Sequence, residues 1–556
     1  MERIQSKWIA TLASIWIQCS SGSLYTFSIF SSALKSSQGY DQSTLDTVSV
    51  VKDVGATAGV LSGFLYSAVT VPHRSRRSSS CFLRGPWVVI AVGAIQCFAG
   101  YFFLWLSVAG VIPRQPVPLM CLFMFLTAHA QTFFNTANVV TAVHNFPDFS
   151  GTVVGIMKGF LGLSGAILIQ LYQAIFKGNP ASYLLMLMLV TTVNPLLLMC
   201  LVRIYNTKEG DEKKHLNGLS LVALVVAGYL MALIILENIL TLQFPARLFT
   251  LVLLLLLLAA PLAVTIKAQQ SNFDGTSQTF LIEKNQLIDD PKQLDAEKIG
   301  KGQDPAGYHL VHSDAEQERN TDDNRVLLQG ENLNLLQAIG TCNFWCLFLA
   351  MACGMGSGLA TVNNIGQIGG AFGYKSFETS TLVSLWSIWN FLGRFGTGYV
   401  SDYFLHTRGW ARPVFMVITL ATMSIGHFVI ASGMPGALYA GSVLVGVSYG
   451  SQWSLMPTIT SEIFGVQHLG TIFNTIGMAS PVGSYIFSVR VVGYIYDKEA
   501  SADGNKCTGT HCFMVSFLIM ASATLLGCFV ALILFLRTKS FYNQVVLRRL
   551  QHPGRV

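Results

Sequence analysis

Long apolar runs occupy most of this chain, and their length restricts the fold more than any other feature of the sequence. A helix needs about 20 residues to cross the hydrocarbon core of a bilayer, and it satisfies its backbone hydrogen bonds internally. The alternating pattern of membrane barrel strands is absent from the sequence. We therefore predict an all-α polytopic membrane protein. Its fourteen predicted spans are residues 8–30, 47–71, 87–109, 118–144, 151–175, 182–203, 218–238, 247–266, 335–361, 377–400, 412–432, 437–459, 466–495 and 513–537.

The composition agrees with this class and argues against several others. Hydrophobic residues make up 52% of the chain and charged residues only 11%, whereas soluble domains carry about 25% charged residues. The sequence contains no HExxH motif, Walker loop or paired zinc motif, so we expect no enzymatic activity, no cofactor and no bound metal. GVSYG at 446–450 matches a nucleophile elbow, but it falls inside a predicted span and not at a strand-to-helix turn.

The predicted spans are grouped as six, two and six. Residues 1–210 form an N-terminal six-helix half, and residues 331–540 form a C-terminal half. Residues 211–266 add two spans with almost no polar surface, so we expect this central pair to face lipid. Fourteen spans is the favoured count, and twelve is the alternative.

Charge indicates how the segments lie relative to the membrane. Residues 267–330 contain 12 Asp and Glu and 7 Lys and Arg without sustained periodicity, which predicts a disordered acidic linker. With both termini in the cytoplasm, the inward segments hold 17 Lys and Arg, more than twice the number in the outward loops. The linker and the basic tail at 541–556 are then cytoplasmic. The basic excess fits attraction to lipid headgroups and requires no nucleic acid, while protein partners and the membrane of residence stay open.

The two six-helix blocks repeat each other weakly. GYDQSTL at Gly39 corresponds to GYKSFETSTL at Gly373, and FPDFSGTVVG at Gly151 corresponds to FGVQHLGTIFN at Gly470. Repeated halves of this kind predict a solute site between them, near the middle of the membrane.

A short loop in the second half combines close packing with charge. GRFGTGYVSD places Gly398 four residues before Asp402, and Arg408 and Arg412 follow. A glycine lets two helices approach closely, and the carboxylate can accept hydrogen bonds from a helix N-terminus or from an arginine. We expect these four residues to form a gating loop.

Three segments carry a resemblance to known proteins. They read WIQCSSGSLYTFSIFSSALKSSQGYDQSTLDTVSVVKDVGATAGVLSGFLY, PWVVIAVGAIQCFAGYFFLWL and GRFGTGYVSD. They resemble the nodulin-like family of plant major facilitator proteins, of the nuclear-fusion-defective type, and more distantly oxalate/formate exchangers. The resemblance implies a major facilitator fold that moves a small solute by alternating access. One departure lies in the first half, where Ser67 follows Gly63 by four residues although the superfamily loop has aspartate there.

Charges inside the spans identify candidate functional residues, because a charge at a helix centre costs about 2.5–3.5 kcal/mol on insertion scales. Lys158 shares a helix face with a row of glycines, so its ammonium lies where another helix or a solute pathway approaches. The glycine row consists of Gly151, Gly155, Gly162 and Gly165. A packing stripe with a buried ion pair is the alternative.

The charges within the spans are mostly positive. Lys158, Arg394 and Arg490 outnumber Asp53, the single buried acid of the twelve-helix core. We therefore expect an anionic solute, with Asp53 as the candidate coupling residue.

Polar residues at helical spacing form a second set of candidates. The main stripe consists of Gln131, Asn135 and Asn138. We expect it to line water or solute, with Gln18 and Tyr25 as an opposite wall. Interhelical hydrogen bonding, worth only about 0.6 kcal/mol on average, is the alternative. His129 lies off the stripe and is expected to be a satisfied core residue.

Two cysteines share a predicted outward loop. Cys507 and Cys512 could be joined by a disulfide on an oxidising side of the membrane, although two free thiols are equally compatible with the sequence.

For the whole chain we expect a secondary active or facilitative transporter. A membrane sensor or scaffold that keeps the fold without transporting is the alternative.

Overall fold

The computed structural model describes residues 6–71, 84–176, 179–205, 211–240, 242–289, 332–502 and 507–546. Every regular element in these ranges is helical, which confirms the all-α prediction for this part of the chain. The first half contains α1 (Lys7–Ser20), α2 (Phe27–Gln38), α3 (Gln42–Thr57), α4 (Val60–Thr70), α5 (Pro86–Val108), α6 (Val117–Asn145), α7 (Ser150–Ile175) and α8 (Pro180–Leu198). The central pair is α9 (Glu212–Ile239) and α10 (Phe244–Asp289). The second half contains α11 (Leu335–Ile339), α12 (Cys342–Ala371), α13 (Ser376–Arg408), α14 (Pro413–Ala431), α15 (Ala437–Phe464), α16 (Leu469–Gly477), α17 (Ala479–Ser484), α18 (Tyr494–Ala502) and α19 (His511–Phe541).

Ten helical segments are long and apolar enough to cross a membrane, judged by length and composition, and they coincide with ten of the predicted spans. Two other predicted spans, 377–400 and 437–459, form the unbroken helices α13 and α15, which are too polar to qualify by composition. The remaining two, 8–30 and 466–495, are helical but broken into shorter pieces. The ten qualifying segments are Thr47–Thr70, Pro86–Val108, Val117–Asn145, Pro147–Ile175, Pro180–Leu201, Glu212–Glu237, Phe244–Ser271, Cys342–Ala371, Pro413–Ala431 and His511–Gln544.

The first predicted span is broken at Gly22, between α1 and α2. A Cβ atom on Gly22 would lie 1.7 Å from Oγ of Ser164 on α7, so a residue without a side chain is needed where the two helices cross. Next to the break, Tyr101 and Gln131 both donate hydrogen bonds to Oγ of Ser23. Irregular backbone is tolerated at membrane depth where it is buried in protein, as it is here.

A second break separates α3 from α4. The imidazole of His129 lies with Nε2 3.1 Å from the carbonyl oxygen of Ala58 at this break, and with Nδ1 2.9 Å from Oε1 of Gln96. His129 is therefore a satisfied core residue, as expected from the sequence. In the second half, the span at 466–495 contains a break at Met478 and a π-helix at Tyr485–Gly493.

The central pair packs one face against the first half. Nζ of Lys7 forms an ion pair with Oε1 of Glu212 at 2.5 Å, and Nε1 of Trp16 donates to the carbonyl oxygen of Leu258 at 2.9 Å. The opposite face is exposed and apolar, with Phe249 69% exposed. The inner face is covered by α1 and α7, and α9 also contacts α13. Contact of the exposed outer face with lipid stays a prediction.

Helix α10 continues beyond the predicted end of its span at residue 266. Residues 267–289, the first part of the segment predicted to be disordered, are helical. The first proline after the span is Pro291, and helices commonly end at or before the residue preceding a proline. The rest of the predicted linker, 290–330, lies outside the described residues, as does the tail from residue 547 onward.

The two halves meet mainly where α7 of the first half packs on α13 of the second and where α4 packs on α16. Helix α7 also contacts α15, and α16 contacts α6. The residues described next lie at these contacts.

Candidate functional site

Two glycines of the row on α7, Gly151 and Gly155, lie against the backbone of α13. A Cβ atom on Gly398 would lie 2.4 Å from the carbonyl oxygen of Gly151 and 2.9 Å from Cα of Gly155. A Cβ atom on Gly155 would lie 3.1 Å from the carbonyl oxygen of Phe395. These separations are too short for larger residues, so the glycines allow the two halves to touch backbone to backbone.

Asp402 joins the halves at the first turn of α7. Its Oδ1 accepts a hydrogen bond from the amide of Gly151 at 3.1 Å, and its Oδ2 accepts one from the amide of Thr152. These amides belong to the N-terminal turn of a helix that begins at Ser150, where they have no partner within the helix and the helix dipole favours a negative charge. The carboxylate of the second half therefore caps a helix of the first half.

Arg412 completes this contact from the loop after α13. It is almost fully buried, forms an ion pair with Asp402, donates from Nε to Oε1 of Glu462 and donates from Nη1 to Oγ of Ser401 at 2.8 Å. Arg408 was predicted to belong to the same loop network, but its side chain is exposed on the last turn of α13. We call the network the Asp402 gate. It comprises Ser150, Gly151, Thr152, Gly398, Ser401, Asp402, Arg412 and Glu462.

The corresponding contact of the first half has no carboxylate. A Cβ atom on Gly63 would lie 2.4 Å from the amide nitrogen of Thr471 and 2.5 Å from the carbonyl oxygen of Gly470 at the start of α16. Ser67, one turn further along α4, is buried, and its hydroxyl has no hydrogen-bond partner among the described residues. Because Ser67 stands where the superfamily loop has aspartate, the contact of α4 with α16 lacks the carboxylate that caps α7 in the related contact with α13.

Lys158 and Arg394 meet between the halves, and we call them the cation pair. Nζ of Lys158 lies 5.2 Å from the centre of the Trp453 ring and 5.5 Å from that of Phe473, and Cζ of Arg394 lies 5.8 Å from the Trp453 ring. Nη1 of Arg394 donates to the carbonyl oxygen of Lys158 at 3.1 Å. The side chains are 1% and 2% exposed, so both charges are removed from water in this conformation.

The cation pair has no acidic partner. In the described part of the chain, no carboxylate oxygen lies within 4.0 Å of either cation, and the ion pairs involve other residues. Arg394 is held by neutral groups: Nε donates to Oδ1 of Asn390 at 2.9 Å, and Nη2 donates to the hydroxyl of Tyr25 at 3.4 Å. The buried ion pair that the packing alternative required for Lys158 is therefore not found among these residues.

Tyr25 is another predicted residue that contacts the cation pair, because its hydroxyl, from the first half, accepts the hydrogen bond from Nη2 of Arg394. Asp53 was predicted to be the single buried acid of the twelve-helix core. It forms an ion pair with Lys52 at 3.0 Å, and its side chain is 42% exposed. Asp53 is therefore partly exposed and paired, and not a buried acid.

The other predicted residues do not join this cluster. Arg490 is exposed on the π-helix and not buried as expected, with Cζ 5.8 Å from the ring of Tyr485, so its role in the pathway stays a prediction. Gln131 holds the break after α1, as described above. Gln18 and Asn138 are fully buried, and their amide groups have no hydrogen-bond partner among the described residues, as is also true of Oδ1 of Asn135.

Several important residues were missed by sequence reasoning. Trp453 and Asn390 contact the cation pair, and Glu462 holds Arg412. Glu462 could have been recognised as an acid just beyond a predicted span, on the same side as the gating loop. Trp453 offered no such signal, because an aromatic residue in an apolar helix is usually a packing residue.

The segment before α19, predicted to be an outward loop, contains a disulfide. Cys507 and Cys512 are bonded to each other, so the structure has the disulfide and not two free thiols. Nε2 of His511 lies 3.6 Å from Sγ of Cys507.

Two family models match this chain, and together they cover both halves. The Nodulin-like model matches residues 7–266, and the model described as NFD4, C-terminal domain, matches residues 331–544. Protein NUCLEAR FUSION DEFECTIVE 4 of Arabidopsis thaliana is 27% identical over 97% of this chain and 90% of its own length. "Probable transporter MCH1" of Yarrowia lipolytica is 28% identical, over 28% of this chain and 34% of its own length.

Solved structures share the fold. A proton:xylose symporter, XylE bound to 6-bromo-6-deoxy-D-glucose, has a TM-score of 0.52 and 11% identity, over 94% of both chains. The human organic anion transporter MFSD10 has a TM-score of 0.51 and 10% identity, over 95% of this chain and 100% of its own. This chain is an integral membrane protein that contains a nodulin-like domain and an NFD4 C-terminal domain, and it has the fold of the major facilitator superfamily.

Proposed function

We propose that this protein is a secondary active or facilitative transporter of a small organic anion, which binds beside Lys158 and Arg394. The observation that carries the proposal is a pair of buried cations, one from each half, without a carboxylate partner in the described part of the chain. A solute between the halves would contact both.

Electrostatics favours a negative solute at this place. An uncompensated buried charge costs several kcal/mol, and here two like charges lie close together. A carboxylate would offset this cost, since a hydrogen bond to a charged group contributes about 1.5–3 kcal/mol. A cationic solute would instead add a third positive charge.

The two cations would have different roles. Arg394 already donates to Asn390, to the backbone of Lys158 and to Tyr25, so its position is fixed by groups from both halves. The ammonium of Lys158 faces aromatic rings and has no acidic partner among the described residues. We therefore assign solute binding mainly to Lys158, and positioning together with positive potential to Arg394.

The position of the cation pair relative to the Asp402 gate supports the proposal of alternating access. Arg394 and Asp402 are eight residues apart on α13, which corresponds to about 12 Å along a helix. The gate closes the contact between α7 and α13 on the side predicted to be cytoplasmic. Opening that side requires the two helices to separate, which would also break the hydrogen bond from Arg394 to Lys158.

The relatives and the fold are consistent with a transporter. MCH1 carries the name of a probable transporter, and the structural relatives include a sugar symporter and an organic anion transporter. Because the likeness to the solved structures is one of fold, their solutes do not choose between sugar and anion for this chain. The cation pair is the observation that supports an anion.

We also propose fourteen spans, with both termini and the linker in the cytoplasm. The proposal rests on the ten qualifying segments, on the helical character of the other four predicted spans, and on the distribution of Lys and Arg. On this view α9 and α10 are an addition to a twelve-helix core.

The function is tested with purified full-length protein in liposomes. Uptake of labelled small carboxylates, sugars, amino acids and organic cations is measured in parallel. We expect accumulation of carboxylates and competition among them. Uptake restricted to neutral or cationic solutes would contradict the anion assignment, and absence of any uptake by correctly folded protein would favour the sensor or scaffold alternative.

The contact at Gly398 leads to a first prediction about gating. Gly398→Ala adds a Cβ atom 2.4 Å from a backbone oxygen of the other half, so the gate cannot close without a backbone shift. Overpacking of this kind costs about 1–3 kcal/mol, and we expect the rate of uptake to fall about tenfold.

Gly396 provides the matched control on the same helix. A Cβ atom there would have no heavy atom within 4 Å, so Gly396→Ala is expected to transport like the wild type. Equal uptake by the Gly398 and Gly396 variants would show that close approach at Gly398 does not limit transport.

A further inference from the structure

The end of the last helix lies against the Asp402 gate. The ring of Tyr542, in the short π-helix after α19, is fully buried, and its hydroxyl donates to Oε2 of Glu462 at 2.6 Å. Tyr542 and Phe541 also form a small apolar cluster, separate from the main core, with Leu405 and Ala411 on either side of the turn between α13 and α14. The end of α19 and the π-helix that follows it thus pack on the loop between α13 and α14 through both polar and apolar contacts.

A continuous series of polar contacts runs from Tyr542 to the other half. Glu462 accepts from Tyr542 through Oε2 and from Arg412 through Oε1. Arg412 also binds Asp402, and Asp402 accepts from the first amides of α7. Every group in the series is a direct neighbour of the next.

We propose that the C-terminal end of α19 is part of the Asp402 gate, and that Tyr542 is a positioning residue that determines how tightly the halves close there. Glu462 has two oxygens and two partners, so the tyrosine hydroxyl fixes the carboxylate with its other oxygen toward Arg412. Without the hydroxyl, Glu462 would have an unsatisfied oxygen in a buried site and could turn away. Arg412 would then be held less firmly against Asp402.

The physical consequence is measurable at the backbone of α7. The amides of Gly151 and Thr152 are protected from exchange with water only while Asp402 caps them, because they have no partner within their own helix. Weaker positioning of Arg412 raises the fraction of time in which the cap is open. Only the role of this contact in transport rests on the proposed function. The contacts themselves are present whether or not the protein carries a solute.

Hydrogen–deuterium exchange on the purified full-length protein tests the proposal without any solute. In Tyr542→Phe, which removes one oxygen and keeps the buried ring, we expect exchange at the amides of residues 150–153 to be about tenfold faster, the factor appropriate to one buried hydrogen bond. Exchange in α5, remote from the gate, should not change. Because no uptake is measured, failure of the transport assay and failure of this proposal are separate results.

Two further variants make the test specific. Tyr494→Phe changes a tyrosine that is 68% exposed, and it should exchange like the wild type. Glu462→Gln should speed exchange at residues 150–153 by itself, and adding Tyr542→Phe to it should have little further effect, because both act through one carboxylate. Wild-type exchange in Tyr542→Phe, wild-type exchange in Glu462→Gln, or fully additive effects in the double variant would each overturn the proposal. The Glu462→Gln measurement decides the matter even if the tyrosine variant does not fold.

Discussion

Replacing Lys158 with methionine is expected to lower anion uptake by a factor of about 10 to 100 while leaving the folded protein at least as stable as the wild type. The loss corresponds to one charge-assisted hydrogen bond to the solute, worth about 1.5–3 kcal/mol. Stability should not fall, because the ammonium has no acidic partner among the described residues and methionine is an apolar side chain of similar length. Uptake in liposomes and thermal unfolding in detergent are measured on the same preparation.

Lys7→Met is the matched control for this prediction. Lys7 is also fully buried, but its ammonium is paired with Glu212 at 2.5 Å. Removing one member of a buried pair leaves the other without compensation, so we expect a clear decrease in melting temperature for this variant. A packing role for both lysines would instead make the two variants behave alike.

A second substitution separates charge from hydrogen bonding. Lys158→Gln keeps a donor of similar reach and removes only the charge, so we expect it to lose nearly as much uptake as Lys158→Met. If Lys158→Gln transported anions normally at a normal protein level, or if the solute proved to be a cation, the assignment of Lys158 to solute binding would fail.

Asp402→Asn is expected to slow turnover about tenfold with little change in apparent affinity for the solute. The amide keeps the size of the carboxylate but weakens its bonds to the N-terminus of α7 and to Arg412, so the closed form of the gate is less populated. Arg412 retains Glu462, which limits the loss. The solute site lies about 12 Å away along α13, so its geometry should be preserved.

Initial rates over a range of solute concentrations separate the two effects. A lower maximal rate with an unchanged half-saturating concentration supports a gating role for Asp402. An equal loss of affinity would place this carboxylate in the solute site instead. Ser67→Ala is the control from the first half, because the Ser67 hydroxyl has no hydrogen-bond partner among the described residues, and it should transport like the wild type.

The residues of the Asp402 gate could be predicted from the sequence, because the rules for glycine and aspartate at helix ends concern residues that are close together in the chain. Gly398 and Asp402 lie one helical turn apart, so they share a face, and glycine and aspartate each have a definite role where two helix ends meet. The structure places that face on α7, with the glycine at the backbone contact and the carboxylate on the first amides. The same rules also singled out Ser67 as a departure, and its counterpart contact indeed has no capping carboxylate.

Membership in the cation pair required the tertiary structure. The sequence marked Lys158, Arg394 and Arg490 alike, because the cost of burying a charge depends on depth in the membrane and not on the neighbour. Lys158 and Arg394 meet only because α7 and α13 come from different halves and cross at that level. Arg490 lies on a π-helix after a helix break, and this changes the number of residues per turn, so a face counted along a regular α-helix no longer applies.

The sequence by itself determined the all-α class, predicted two related halves, and singled out the Gly398–Asp402 motif and the costly buried charges. These follow from apolar run length, internal repeats and the chemistry of residues close together in the chain. The tertiary structure decided which charges are paired. Lys7 finds Glu212 and Arg412 finds Glu462, partners that lie 205 and 50 residues away in the chain, whereas no carboxylate among the described residues pairs with Lys158. Pairing between these charged side chains depends on how helices that are distant in the sequence pack together. The pattern of residues within a single helix does not contain that information.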